Sequence, residues 1–167
     1  MILVALGSNL VTQRFDSSQK LLEEALKSLA KRNIQVKGRS SWYRSAPVPL
    51  SDQPWFVNGV VQVASTLDPK ALLETLHAVE SEYGRMRSRR NASRTLDLDL
   101  LAYDDQVISE ADGLVLPHPR LQERAFVLLP LAEVAPQWRH PVTGLTAAEM
   151  LASLQPGQEV ERIAEEG

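Results

Sequence analysis

The opening stretch, Met1-Ile2-Leu3-Val4-Ala5-Leu6, has no polar side chain and lacks the alternation of a half-exposed strand. It predicts a strand buried on both faces and ended by Gly7-Ser8-Asn9. From about Thr12 to Arg32, Leu21, Leu22, Ala25, Leu26, Leu29 and Ala30 recur at helical spacing, with Asp16 or Ser17 placed to cap the start. Gln35 to Tyr43 reads as a second strand, polar enough for an exposed face or edge. Pro47, Pro49 and Pro54 make the segment after it an ordered loop, because proline cannot donate to a sheet ladder. Phe56 to Thr66, rich in valine, is the next strand. Asp68-Pro69 opens a helix, with aspartate as N-cap and proline in the first turn. Leu72, Leu73, Leu76, Val79 and Tyr83 form its apolar stripe, and Gly84 is its stop. Thr95 to Tyr103 alternates as a strand, Leu114-Val115-Leu116 is a short extended piece, and Leu121 to Leu131 is helical up to Pro130. A helix near Thr146 to Leu154 follows, in a region that carries no motif and reads as trimming. The order βαββαβ plus a small helical C-terminal extension fits an α+β sandwich with helices on one face of a mostly antiparallel sheet. A ferredoxin-like arrangement is expected, as one domain over residues 1–167 with about 137–167 as the extension.

Composition narrows the class. The 167 residues are 44% hydrophobic and 23% charged, ordinary for a globular domain that builds its own core. No apolar run approaches the roughly 20 residues of a membrane span, and the N-terminus lacks a basic region before its apolar stretch. A cytoplasmic protein is expected, without membrane partner. The chain has no cysteine, which excludes disulfides, thiolate metal sites and cysteine catalysis. A net charge of -3 gives no general pull toward nucleic acid. Arginine nevertheless outnumbers lysine 13 to 5, and Arg85, Arg87, Arg89, Arg90 and Arg94 crowd one segment. Guanidinium groups contact phosphate bidentately, so a cluster of them on an acidic chain points to a small phosphorylated ligand or, more blandly, to a solvated surface.

The sharpest chemical feature is Arg94-Thr95-Leu96-Asp97-Leu98-Asp99-Leu100. On a strand, residues two apart share a face, so Asp97 and Asp99 project together while Leu96, Leu98 and Leu100 enter the core. Adjacent carboxylates repel unless a cation lies between them, and oxygen-only donors favour Mg²⁺ over zinc. The alternative is a pair of acids on a solvated strand face. No Walker-type loop and no Gly-X-Gly-X-X-Gly is present, so a bound nucleotide would depend on arginines and metal. Glu80 and Glu82 lie in the last turn of their helix, where the dipole disfavours anions; Glu80, at the edge of the apolar stripe, hints at a site, with pairing to a nearby arginine as the simpler reading. His77, on the same helix, reads as a partly buried structural histidine. His118 sits between Pro117 and Pro119, followed by Arg120 and Arg124, in a stiff loop with a titratable ring and two cations. Phe56 and Phe126 suit either the core or a cleft, and Asn58 shares the face of Phe56, where an amide can read a heterocycle.

Together these segments resemble the 6-hydroxymethyl-7,8-dihydropterin pyrophosphokinases of folate biosynthesis. The resemblance is carried by Ala5-Leu6-Gly7-Ser8-Asn9-Leu10, Tyr43-Arg44-Ser45-Ala46-Pro47, Asp52-Gln53-Pro54-Trp55-Phe56-Val57-Asn58 and Gly84-Arg85-Met86-Arg87. Arg94-Thr95-Leu96-Asp97-Leu98-Asp99 and Leu116-Pro117-His118-Pro119-Arg120 through Arg124-Ala125-Phe126 complete it, all in family order as far as about Pro136. It implies transfer of the β,γ-pyrophosphoryl unit of MgATP to the pterin hydroxymethyl group, leaving AMP. It further implies that Asp97 and Asp99 hold two Mg²⁺ ions, that Arg85 and Arg94 stabilise the transferring group, and that Arg87, His118 and Arg124 grip the triphosphate with Glu80 nearby. The pterin would stack between Phe56 and Phe126, hydrogen-bond to Asn58, and be read further by backbone groups of Ser45, Ala46 and Val48. A monomer is expected, with Arg87 to Ser93 as a lid. The chain departs from the family at Val11, where glycine is frequent, and at Arg89-Arg90-Asn91-Ala92-Ser93, where some members carry a tryptophan and a Gly-Pro pair. Phe56 and Pro119 each stand where tyrosine occurs in some members.

Two other classes remain open on the residues alone. Ferredoxin-like sheets with an arginine loop bind RNA in other proteins, although here the strand from Thr95 to Tyr103 carries aspartates where stacking rings are needed. A Mg²⁺-dependent phosphohydrolase would use the same aspartates with water as acceptor, and is distinguished by whether a pterin is required.

Overall fold

The structure is a computed structural model that describes residues 1–8, 18–46, 55–84, 96–111 and 113–163. β1 (Ile2–Ser8) leads to α1 (Ser18–Lys31), β2 (Gln35–Arg39), β3 (Tyr43–Ser45), β4 (Phe56–Ala64), α2 (Pro69–Gly84) and β5 (Asp97–Tyr103). The small ribbon of β6 (Ile108–Ser109) and β7 (Val115–Leu116) follows, then a 3₁₀ turn at Leu121–Glu123, α3 (Ala125–Val134), α4 (Ala147–Ala152) and β8 (Val160–Arg162). The main sheet runs β5-β1-β4-β3-β8, with β2 also pairing β4, and every pairing in it is antiparallel. If β2 and β3 are taken as halves of one strand, the βαββαβ core has spatial order fourth, first, third, second. This is the ferredoxin-like arrangement that the element order predicts.

The fully buried β1 follows from this topology, because the central strands carry helices on both faces. Ile2, Val4 and Leu6 pack with Leu22, Leu29, Leu72 and Leu76 of α1 and α2. Leu3 and Ala5 point the other way and pack with Val127, Leu128 and Leu131 of α3 and Met150 of α4. Helices therefore cover the sheet on two sides rather than the expected one, since alternate residues of an apolar strand need a partner on each face.

Local boundaries also shift from the sequence expectation. β1 runs on through Gly7 and Ser8, which pair with Asn58 and Val57. Gln35 to Tyr43 is two strands, because a bulge falls between Val36 and Gly38 and the chain then leaves the ladder at Ser40-Ser41-Trp42. Side-chain bonds hold that excursion. Ser40 Oγ accepts the Val60 N–H at 3.0 Å, and Glu133 of α3 accepts both the N–H and the hydroxyl of Ser41 at 2.9 Å. β4 stops at Ala64, short of Thr66. α3 continues past Pro130 to Val134. Proline there removes one backbone bond of the second turn, while burial of Leu128 and Leu131 on either side holds the helix together. As expected, Asp68 caps α2, its carboxylate accepting the Ala71 N–H at 2.8 Å. Asp16, Ser17 and the prolines of the 47–54 loop lie outside the described residues.

The C-terminal region is more than trimming. Thr146 and Glu149 form a reciprocal capping box at the start of α4. Beyond it β8 joins the main sheet, pairing Ser45 with Val160 and Tyr43 with Arg162.

Candidate active site

The antiparallel register gathers the site at one end of the sheet. Gly7 on β1 lies opposite Asn58 on β4 and Asp97 on β5, and Ala5 lies opposite Asp99. Strand periodicity therefore puts Asn58, Asp97 and Asp99 on the α3 side, with Phe56 two residues before Asn58 and Ser45 opposite Phe56. α3 closes this end from above with Phe126 and Val127. The result is a cavity of about 440 Å³ lined by Ser45, Ala46, Phe56, Asn58, Asp97, Asp99, Arg124 and Phe126, among others. Leu96, Leu98 and Leu100, which alternate with the aspartates, are buried as the alternation predicts.

Each wall is fixed by identifiable contacts. The Asn58 side-chain amide, 5% exposed, donates to Ser45 Oγ at 2.7 Å. A methyl group at Gly7 would stand 3.1 Å from Asn58 Oδ1, so glycine lets the amide lie directly on β1. Ala46 is buried, and its N–H donates to the Glu159 carbonyl at 3.0 Å. That N–H is already occupied, which narrows the backbone recognition expected from Ala46. Tyr43 Oη donates to Glu133 at 2.8 Å, tying β3 to α3, and burial beside that carboxylate pushes the phenol up to about 12. Arg124 is the N-cap residue of α3, and its guanidinium lies over the Phe126 ring at 5.6 Å.

β5 is an edge strand, and its free edge is covered by two groups expected at the site. Glu80 of α2 accepts the Leu98 N–H at 2.8 Å, between the two aspartates. The His118 N–H donates to the Leu101 carbonyl at 2.9 Å. A second cavity of about 700 Å³ opens along this edge, lined by Glu80, Asp99 and His118 together with Lys70, His77 and Leu114. Asp99 borders both cavities. Burial raises the Glu80 carboxyl above its ordinary range, aided by Asp97 and Asp99 and opposed by its bond from Leu98 and by His77. Burial lowers His118, and Arg124 and Arg120 add to this against the pull of Asp99. The Arg120 N–H donates to His118 Nδ1 at 3.2 Å, which leaves the proton of the neutral ring on Nε2.

The structure thus brings together Ser45, Ala46, Phe56, Asn58, Asp97, Asp99, Arg124 and Phe126 in one cavity, and Glu80, Asp99 and His118 in the other. Val48, Arg85, Arg87, Arg94 and the expected lid lie outside the described residues. Among the described residues Glu80 accepts a backbone N–H and Glu82 pairs with Arg32 at 3.1 Å, while the arginines of 85–94, nearest to Glu80 in sequence, lie outside them. His77 is exposed on a cavity rim instead of partly buried. Arg120, one of the two cations expected beside His118, lines the first cavity too, as do Gln158 and Glu123, which were not singled out by motif. Among the described residues no group of three or more His, Cys, Asp and Glu is placed to hold a metal ion. Two carboxylates facing a cavity nevertheless suit Mg²⁺, which takes one or two protein carboxylates and completes its shell with water and phosphate oxygens.

The chain is thus a ferredoxin-like domain whose aspartate pair lines one cavity, with Asp99 also bordering a second. The family model for 7,8-dihydro-6-hydroxymethylpterin-pyrophosphokinase (HPPK) matches residues 3–136, and the chain belongs to that family. It is 40% identical over 161 residues to the 2-amino-4-hydroxy-6-hydroxymethyldihydropteridine pyrophosphokinase of Methylorubrum extorquens, covering 96% of each chain. It is 41% identical to that of Pseudomonas aeruginosa, covering 97% of this chain and 96% of the relative. With the Synechocystis protein of the same name it shares 45% identity over 118 residues, 71% of this chain and 60% of that one. Among solved structures, wild-type Plasmodium falciparum HPPK-DHPS superposes with a TM-score of 0.68 at 14% identity, over 90% of this chain and 44% of that one. A triple mutant of the same protein gives 0.70 at 16%, over 90% and 43%. The chain spans less than half the length of those structures, and at such identity the likeness shows the fold alone.

Proposed function

We propose that the chain transfers the β,γ-pyrophosphoryl unit of ATP to the hydroxymethyl group of 6-hydroxymethyl-7,8-dihydropterin, giving AMP and the pterin diphosphate. The hydroxymethyl oxygen attacks the β-phosphorus, the bond from that phosphorus to the α,β-bridging oxygen breaks, and AMP leaves with that oxygen. The hydroxyl proton is lost in the same reaction. The single observation that carries this reading is that Asp99 borders both cavities, beside Asp97, so donor and acceptor meet at the carboxylates.

In this reading the pterin occupies the smaller cavity, between the Phe56 and Phe126 rings, with its polar edge against Asn58. Stacking there contributes about 1 kcal/mol beyond the area buried. ATP reaches Asp99 from the larger cavity along β5. His118 presents Nε2–H to a phosphate oxygen, and the guanidinium of Arg124 adds positive charge at the mouth of the pterin pocket. Asp97 and Asp99 would hold Mg²⁺, which supplies charge neutralisation for the triphosphate and the acceptor oxygen. Glu80 fixes the strand between the two aspartates by holding the Leu98 N–H, so the carboxylates stay on one face. Phosphoryl-type transfer asks a protein mainly for position and charge, and these residues supply both.

The test is to incubate the protein with MgATP, with and without the pterin, and separate the adenine nucleotides. AMP that forms only with the pterin is the expected result. Nucleotide hydrolysis that ignores the pterin would instead favour the phosphohydrolase reading.

A further inference from the structure

The segment between α4 and β8 carries no recognisable motif, yet it reaches both walls of the smaller cavity. Gln158 lines that cavity and is half-buried. Its side-chain Oε1 accepts the Ala125 N–H at 2.9 Å, and its Nε2 donates to the Glu123 carbonyl at 2.8 Å. These two groups flank Arg124, whose extended backbone (φ -116°, ψ 107°) joins the 3₁₀ turn to α3. Arg124 caps α3 with no side-chain bond of its own, so the first N–H of the helix needs a partner from elsewhere. A carboxamide offers donor and acceptor side by side and so satisfies both groups at once. The next residue, Glu159, accepts the Ala46 N–H through its carbonyl, and Val160 then pairs with Ser45. One short run of chain therefore holds the wall of Arg124 and Phe126 and, on the opposite side, the wall of Ser45 and Ala46.

We propose that Gln158 is a positioning residue for the pterin pocket: its carboxamide fixes the Arg124 junction, and thereby sets the Phe126 ring in the wall of the cavity that Phe56 also lines. This inference rests on the pyrophosphoryl-transfer reading, and it makes the C-terminal strand part of the binding site. Its main effect is on acceptor binding, because Glu123, Arg124 and Phe126 all line the smaller cavity, and ATP is reached only through the charge of Arg124.

The test compares the wild type with Gln158→Met, which keeps the length and bulk of the side chain but neither hydrogen bond. Gln155→Met, the same change at an exposed residue of the segment, serves as control. Steady-state AMP formation is measured while each substrate is varied in turn, together with the melting temperature of each protein. Gln158→Met is expected to raise the KM for the pterin about tenfold, the scale of one to two lost hydrogen bonds, with the KM for ATP within about threefold of wild type. Gln155→Met is expected to match wild type in both. A pterin KM unchanged in Gln158→Met, whether or not its melting temperature falls, overturns the inference, as does an equal rise in both KM values. Failure of the underlying reading would look different, since the wild type itself would then form no pterin-dependent AMP.

Discussion

A double-mutant cycle measures the bond between Asn58 and Ser45, which holds one wall of the proposed pterin pocket. Asn58 is 5% exposed and Ser45 3%, and they meet at 2.7 Å. Asn58→Ala leaves the buried Ser45 hydroxyl without this donor, and Ser45→Ala leaves the Asn58 amide without this acceptor. Each single change is therefore expected to cost about 1–3 kcal/mol, the range for orphaning a buried polar group. The double variant leaves neither group orphaned, so it should cost about 1 kcal/mol less than the sum. For a chain of this length each kcal/mol lowers the melting temperature by about 2–4 °C. Urea unfolding of the four proteins gives the stabilities, and AMP formation with varied pterin gives the binding side. Asn58→Ala is expected to raise the pterin KM about tenfold or more, and Ser45→Ala less, because Ser45 acts through Asn58. Stabilities additive within about 0.3 kcal/mol would refute the coupling. A larger KM effect from Ser45→Ala would refute the assignment of Asn58 as the contacting group.

Three further outcomes follow from the geometry. Asp97→Asn and Asp99→Asn should each keep the melting temperature near wild type while turnover falls by on the order of a hundredfold or more, and chelation of Mg²⁺ should stop the wild type reversibly; retained activity in both variants would remove the carboxylate pair from the mechanism. Gly59→Ala would bring a methyl carbon 2.5 Å from the Trp42 ring, so the ring must move, at a cost of about 1–3 kcal/mol in thermal or urea unfolding; an unchanged stability would mean the ring is loosely held. His140 is held below its ordinary 6.5 by burial, and its Nδ1 accepts the N–H groups of Val142 and Thr143 at 3.2 Å. As pH falls through 6.5 the unfolded chain takes up a proton that the folded chain resists, so stability is lost on acidification until the folded value is passed. Glu80, raised by burial, acts with the opposite sign at lower pH, so the informative comparison is wild type against His140→Gln: the variant should lose less stability between about pH 7.5 and 5.5, and equal losses would contradict this reading.

What the sequence revealed follows from how local each signal is. The two-residue period of a strand places Asp97 and Asp99 on one face and Leu98 in the core without any tertiary information, and the structure has them so. The Asp68-Pro69 start of α2 is equally local. The break at Ser40-Ser41-Trp42 is not, because Glu133 and Val60, both distant in sequence, hold that excursion in place. Pro130 reads as a stop only until the burial of its neighbours is known. β8 is three residues, Val160-Glu161-Arg162, too short and polar to show periodicity, and it exists because β3 offers it an edge. Gln158 was missed for the same reason, since its role lies in two backbone groups more than thirty residues earlier in the chain. The second face of the sheet is covered because α3, with α4 of the extension, buries the residues of β1 that α1 and α2 do not.

The most direct test of the central claim is to follow the phosphorus resonances of a single reaction containing the protein, MgATP and 6-hydroxymethyl-7,8-dihydropterin. Two ligands meeting at Asp97 and Asp99 predict that AMP and a pterin diphosphate grow together in equal amounts, with no ADP. ADP with a pterin monophosphate, or inorganic phosphate growing without any pterin ester, would contradict the account.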